Sequence, residues 1–393
     1  MTPLSSSRLL KTVARSLAAT LIAVLAFAPG PALALSKTIT TESGPVAVET
    51  VAEGLNRPWG MVFLPDGRML VTERVGTLRL VGPDGSVSAP LSGVPEVAVR
   101  GQGGLLDIAL DPDFPTNKLI YLSYAEPGEG GAGTAVARGR LEDDGLQDLK
   151  VIFQQTPKAK GRNHFGGRLA FAPDGTLFVT LGDRFEFDPA QDLASHLGKI
   201  VRINPDGSVP QDNPFIGQKG AQPEIWSLGH RNVESAAIDP KTGKLWTLEF
   251  GPKGGDELNR PAPGENYGWP LVSWGKHYDG TDIPNPPTRP EFADAVRHWT
   301  PVISPSGATF YTAEPVPGWT AETIPDWTGD LLVGGLSSQS IIRLTIDGET
   351  VTGEERIPLG VRVRNVVQGP DGAVYALTDE ENGKILRLTA DNP

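Results

Sequence analysis

Six times between residues 65 and 370 the chain makes one kind of turn and follows it with one kind of strand. The turns are Pro65-Asp66-Gly67, Asp111-Pro112-Asp113, Pro173-Asp174-Gly175, Asp239-Pro240, a variant from Asp326 to Asp330, and Pro370-Asp371-Gly372. Behind them stand the runs 69–72 (MLVT), 119–122 (LIYL), 177–180 (LFVT), 245–248 (LWTL), 331–334 (LLVG) and 374–377 (VYAL). Asp, Pro and Gly supply the turn, and the β-branched and aromatic residues after it read as strand. A second strand follows at once in places, as at 77–81 (TLRLV) and 384–388 (KILRL). The mean spacing of the turns is about 61 residues, and a four-stranded propeller blade needs roughly 40–50 residues plus loops. The spacing therefore predicts an all-β, six-bladed β-propeller in a single domain over residues 35–393. A large β-sandwich, or two β domains, is the competing arrangement.

Composition agrees. The 393 residues include 47 Gly and 36 Pro, both of which penalise helix interiors. The longest gap between turns holds a Pro-rich stretch, 261–305, expected to be a long surface excursion. Gly128 to Gly133 fits the pattern G-x-G-x-x-G, but strand-like residues 134–138 (TAVAR) follow where a dinucleotide site needs a helix N-terminus. That segment is expected to be a hairpin loop. The absence of cysteine excludes thiol catalysis, thiolate metal sites and disulfides. With a formal net charge of −12 and no basic tract, binding to nucleic acid or anionic lipid is disfavoured.

Residues 1–34 have the layout of a secretory signal peptide. Arg8, Lys11 and Arg15 precede an apolar run from Leu17 to Ala28, then Pro29-Gly30-Pro31 and the small-residue pattern Ala32-Leu33-Ala34. Cleavage after Ala34 would leave a chain of about 359 residues with a charge near −15, periplasmic or secreted and without a membrane span. An uncleaved anchor is the alternative.

Five constellations carry candidate chemistry. Asn163 to Arg168 places His164 on a glycine-rich loop before one strand, and Gly182-Asp183-Arg184 follows the next. Loops that bracket adjacent strands can meet at one propeller face, where a carboxylate would fix the imidazole tautomer and raise its basicity. Leu228 to Asn232 presents Arg231, a fixed fork of donors, beside Asn232. From Glu249 to Asn259, in a stretch that continues to Trp269, three carboxylates among Gly and Pro resemble a hard-cation site. Arg362 and Arg364 alternate on a strand and so share a face. Gln102 lies among glycines in residues 100–104. Each has a plainer reading as a structural histidine, a solvated arginine or an ordinary acidic loop. Together they would suit a polyanionic ligand held with a divalent metal.

The same residues, in order, resemble the soluble pyrroloquinoline quinone (PQQ)-dependent glucose and aldose sugar dehydrogenases. The resemblance runs from about Gly54 to Leu388. It is carried by RGQGG at 100–104, HFGGRL at 164–169, LGK at 197–199, LGHRN at 228–232, GGDELN at 254–259 and NYGWP at 266–270. It implies an exported, PQQ- and Ca²⁺-dependent aldose dehydrogenase on a six-bladed propeller. His164 would be the general base that takes the C1 hydroxyl proton of an aldose, with Asp183 and Gln102 on the substrate side. Arg231, Asn232, Arg362 and Arg364 would contact the cofactor. Gly251 and Pro252 would offer carbonyls to its Ca²⁺, and Glu257 and Tyr267 would belong to a second, structural calcium site. A separate quinone or cytochrome of the envelope would accept the electrons.

Two positions depart from the family pattern. Phe250 stands where Gln or His is usual, and Leu336-Ser337-Ser338 lacks a lysine that commonly pairs with the cofactor. They point to weakened cofactor binding, or to a non-catalytic carbohydrate- or protein-binding propeller that has lost PQQ. A Ca²⁺-dependent lactone hydrolase is a third reading.

Overall fold

A computed structural model describes residues 37–283 and 287–391. The expected signal peptide, 1–34, lies outside the described residues. The structure is a ring of six antiparallel sheets, the six-bladed propeller that the turn spacing predicts. Five sheets are built from consecutive strands. The sixth joins Val363–Gln368, Val374–Thr378 and Gly383–Ala390 to two strands from the start of the described chain, Gly44–Leu55 and Lys37–Thr41. Pairing of Gly44–Leu55 with Gly383–Ala390 closes the ring.

The six turn tags occupy equivalent places. Each connects the innermost strand of a sheet to the second, as Pro65-Asp66-Gly67 does between Pro58–Phe63 and Met69–Glu73. Strand runs after the tags are apolar on both sides because each sheet is covered twice, as in any sheet buried on both faces. Met69 and Val71 pack toward the sixth sheet, while Leu70 between them packs toward the second. One apolar cluster fills each of the six gaps between neighbouring sheets, so the core is a set of wedges around the axis. The innermost strands surround a channel whose tag-side half is a cavity of about 420 Å³.

Helix is confined, among the described residues, to Phe114–Asn117 and two 3₁₀ turns. Residues 128–133 form a hairpin tip, with Gly128 opposite Gly131. The 261–305 segment requires a correction. It links the strands Asp256–Asn259 and Arg297–Trp299 of the fourth sheet, but it is not simply a surface excursion. Tyr267, Trp269, Val272 and Ile283 are buried, and Trp269 packs with Ala190 and Phe187 over the site described below. Its aromatic residues have more to gain from burial than the prolines around them suggest.

Candidate active site

Since the first and second strands of each sheet run antiparallel, the residues before the first and after the second sit at the same end, opposite the tags. Pairings such as Pro58 with Glu73, Gly166 with Leu181, Val233 with Glu249, Pro305 with Gly335 and Val363 with Thr378 set this end. All the candidate residues gather there.

His164 and Asp183 meet as expected. Nδ1 of the imidazole lies 2.6 Å from Asp183 Oδ1, the carboxylate takes further bonds from the Phe185 amide (2.9 Å) and Trp269 Nε1 (2.8 Å), and the His164 amide donates to Gln102 Oε1 at 2.6 Å. The two loops that carry the pair are strained: His164 on one and Arg184, Phe185 and Phe187 on the other all have positive φ, a conformation that costs about 1–3 kcal/mol per residue and tends to mark functional sites. Gly182 is obligatory beside it, because a Cβ there would lie 2.1 Å from the His164 carbonyl oxygen. Arg184 is fully buried against the Phe165 ring, 3.4 Å from its centroid, and donates to the carbonyls of Asn163 and Gly161.

Which histidine can work as a base follows from bond counts. His196, His230 and His164 are all buried. His196 uses both ring nitrogens, on the Thr156 amide and Glu224, and His230 both of its own, on Ser227 and Glu249. Among the described residues, His164 alone of the three leaves Nε2 without a hydrogen-bond partner. With Nδ1–H directed at Asp183, Nε2 carries the lone pair. Burial, reinforced by the Arg231 charge, holds the imidazole below its ordinary range despite Asp183, so it is neutral at pH 7.

Beside this pair opens a cavity of about 500 Å³ lined by residues that include Gln102, Glu234, Phe250, Arg362, Arg364 and Asp379. Arg362 and Arg364 do share a face, and both reach Asp379 (2.8 and 3.2 Å), while Arg364 also pairs with Glu234 at 2.7 Å. Arg57 and Arg74 complete the lining, so four guanidiniums face two carboxylates. Neither Arg57 nor Arg74 stood out in the sequence. Their signal was position: Arg57 directly precedes a first strand as Arg362 does, and Arg74 directly follows a second strand as Phe250 does. Asn232 is buried, accepts from the Gly166 amide (3.1 Å) and donates to Glu234 (3.1 Å), so it reaches the cavity through Glu234. Ser337 is exposed, its hydroxyl on the Val302 carbonyl. Leu336, not Ser337, faces the cavity.

A second, much smaller hollow of about 10 Å³ adjoins Phe250 and is lined by residues including Arg231, Glu249, Gly251, Glu257 and Tyr267. It has room for about one water-sized occupant. Burial and the neighbouring Glu249 push the Glu257 carboxyl well above the carboxylate range. Arg231 Nη1 donates to the carbonyls of Phe250 and Gly251 at 3.0 and 3.1 Å, and its Nη2 meets Tyr278 Oη at 3.2 Å. Buried Pro252 follows. A surplus of guanidinium suits a polycarboxylate, and main-chain carbonyls beside two close carboxylates suit a hard cation.

The loop from Asp183 to Gly198 is tied down by Lys199, whose buried ammonium donates to the carbonyls of Pro189 (2.8 Å), Ala190 (3.0 Å) and Leu197 (2.8 Å). Burial pushes the ammonium down to about 7. Lys199→Met takes the donor from the Leu197 carbonyl and the second donor from those of Pro189 and Ala190, which keep the Asp192 and Gly229 amides; it is expected to cost about 1–3 kcal/mol, with faster amide exchange across 183–198. Hydrogen exchange that stays unchanged there would show that the loop stands without the lysine.

A family model described as glucose/sorbosone dehydrogenase matches residues 55–387. The chain belongs to that family. It is 43% identical over 372 residues to aldose sugar dehydrogenase YliI of Escherichia coli (strain K12), covering 92% of this chain and 98% of the relative. Its fold superposes on the apo-form structure of the soluble aldose sugar dehydrogenase of E. coli with a TM-score of 0.83 at 43% identity, over 88% of this chain and 99% of that one. The PQQ-bound aldose sugar dehydrogenase of Streptomyces coelicolor superposes with a TM-score of 0.72 at 29% identity, over 87% and 98%. The motifs cluster at one end of the propeller because they sit at equivalent strand ends around a shared cavity.

Proposed function

We propose that the protein is a PQQ- and Ca²⁺-dependent aldose dehydrogenase, exported by its N-terminal segment to the periplasm or beyond. The observation that carries this reading is a histidine with a free Nε2, fixed by a buried carboxylate, next to a cavity rich in arginine. Arg362 and Arg364 would hold the carboxylates of PQQ, with Arg231 and Asn232 beneath. Gly251 and Pro252 would offer carbonyls to Ca²⁺, and Glu257 and Tyr267 would hold a second calcium. Bound there, PQQ would supply the electrophilic quinone that accepts hydride from the sugar C1. Nε2 of His164 takes the proton of the C1 hydroxyl. Asp183 keeps Nδ1 protonated and stabilises the imidazolium as it forms. Gln102, on the cavity wall, both orients the His164 backbone and borders the sugar. A lactone leaves, and a separate quinone or cytochrome of the envelope takes the electrons. Among the described residues no helix is long and apolar enough to cross a membrane.

Phe250 and Leu336 on the cavity wall favour a second reading, a sugar- or protein-binding propeller without PQQ. One experiment separates the two. Protein freed of cofactor is expected to reduce an electron-accepting dye with aldoses only when PQQ and Ca²⁺ are both supplied. Calorimetry that detects no PQQ binding would leave the binding propeller.

A further inference from the structure

Arg74 is the one guanidinium of the large cavity that has no carboxylate partner among the described residues. Arg57 is paired with Glu381, Arg362 with Asp379, and Arg364 with Glu234 and Asp379. The hydrogen bond that Arg74 makes runs from Nη1 to the Gly101 carbonyl at 3.0 Å, so Nε and Nη2 remain to be used. It is only partly exposed, and burial together with the nearby Arg364 charge lowers its pKa, the mark of a cation short of a counter-charge.

Position gives the reason it lies there. Arg74 directly follows the second strand of its sheet, Met69–Glu73, as Phe250 follows Leu245–Glu249, Leu336 follows Leu331–Gly335 and Asp379 follows Val374–Thr378. All four residues line the same cavity. Propeller geometry aims this position of four sheets, the first, fourth, fifth and sixth, at the axis. The fifth sheet spends it on Leu336, whereas the first sheet spends it on a cation.

We infer that Arg74 is a cofactor-anchoring residue that takes a carboxylate of the bound cofactor through Nε and Nη2. This rests on the PQQ reading above. The bond to Gly101 adds a consequence. Gly101 precedes Gln102, whose side chain holds the His164 amide, so an anion seated on Arg74 braces the same loop that sets the base.

Calorimetric titration of the cofactor-free protein with PQQ in the presence of Ca²⁺ tests this without any turnover. Arg74→Gln is expected to weaken binding about 10- to 100-fold, the range for a lost charge-assisted hydrogen bond, with an unchanged melting temperature. Arg74→Lys, which keeps the charge but loses the fork, should fall between the two. Arg74→Met retains the aliphatic stem and serves if the glutamine variant does not fold. A folded Gln or Met variant that binds PQQ as tightly as the unsubstituted protein overturns the role of Arg74 and leaves the dehydrogenase reading standing. If the unsubstituted protein itself binds no PQQ, the dehydrogenase reading falls, and the inference with it.

Discussion

His164→Ala is expected to lower aldose turnover by roughly 10²–10⁴-fold, the usual contribution of a positioned general base, and to leave PQQ binding unchanged. The separation follows from geometry. His164 is not on the wall of the arginine-lined cavity; its link to that wall is the bond from its amide to Gln102, which the alanine variant retains. The pH profile supplies a second signature. The base form is the neutral imidazole, whose pKa lies below the ordinary value because the ring is buried, with Arg231 adding to the shift and Asp183 opposing it. Activity should therefore hold as pH falls to about 6.5 and be lost only below that, as the ring protonates. Asp183→Asn removes the group that favours imidazolium and frees the tautomer, so the acid limb should move to still lower pH while the plateau drops. Rate–pH profiles of the three proteins check both statements. Retention of turnover by His164→Ala to within about tenfold would remove the histidine from the chemistry.

The largest stability effect is expected deeper in the channel. Arg168, only 3% exposed, lies between the two cavities of the axis. It donates from Nη1 to Asp107 at 3.1 Å, from Nε to the Glu234 carbonyl at 2.9 Å and from Nη2 to the Arg364 carbonyl at 2.8 Å. Its guanidinium stacks on Trp59, 3.9 Å from the ring centroid. It thus holds the backbone beneath two residues of the cavity wall. The packing leaves no slack, since a Cβ at Gly307 would sit 1.8 Å from Asn365 Oδ1 and 3.0 Å from Arg168 Nη2. Arg168→Met leaves Asp107 as a buried charge without its partner, a loss that costs about 3–5 kcal/mol. Adding Asp107→Asn should restore part of it, because the two residues form one unit and their effects do not add. Urea unfolding of the single and double variants measures both quantities. A single variant within about 1 kcal/mol of the parent would mean that the arginine contributes little beyond its volume.

Much of the candidate site was legible before any coordinates. The motifs around His164, Asp183, Gln102 and Arg364 stand out because catalytic residue types sit among glycines at strand ends, and that local chemistry survives folding. Other parts carried no such mark. Trp269 was visible within its motif, yet nothing local said that its indole would reach Asp183, 86 positions away in the chain. Tyr278, from the Pro-rich segment, stacks over Phe185 and meets Arg231, although its neighbours read as surface.

The repeat pointed to the architecture, with a large β-sandwich or two β domains as the competing arrangement. A turn every sixty residues or so, followed by strands apolar on both sides, can bury its faces only by stacking sheet on sheet, and six such units close a ring. Which side chains then meet at the axis was decided by tertiary structure. Arg57, Arg74, Glu234, Leu336 and Asp379 come from four different sheets, and each is unremarkable within its own segment. They form one cavity because antiparallel pairing puts the start of each first strand and the end of each second strand at the same face, and the ring turns that face inward. Periodicity along a chain records which face of a strand is buried; it holds no record of what stands across the channel.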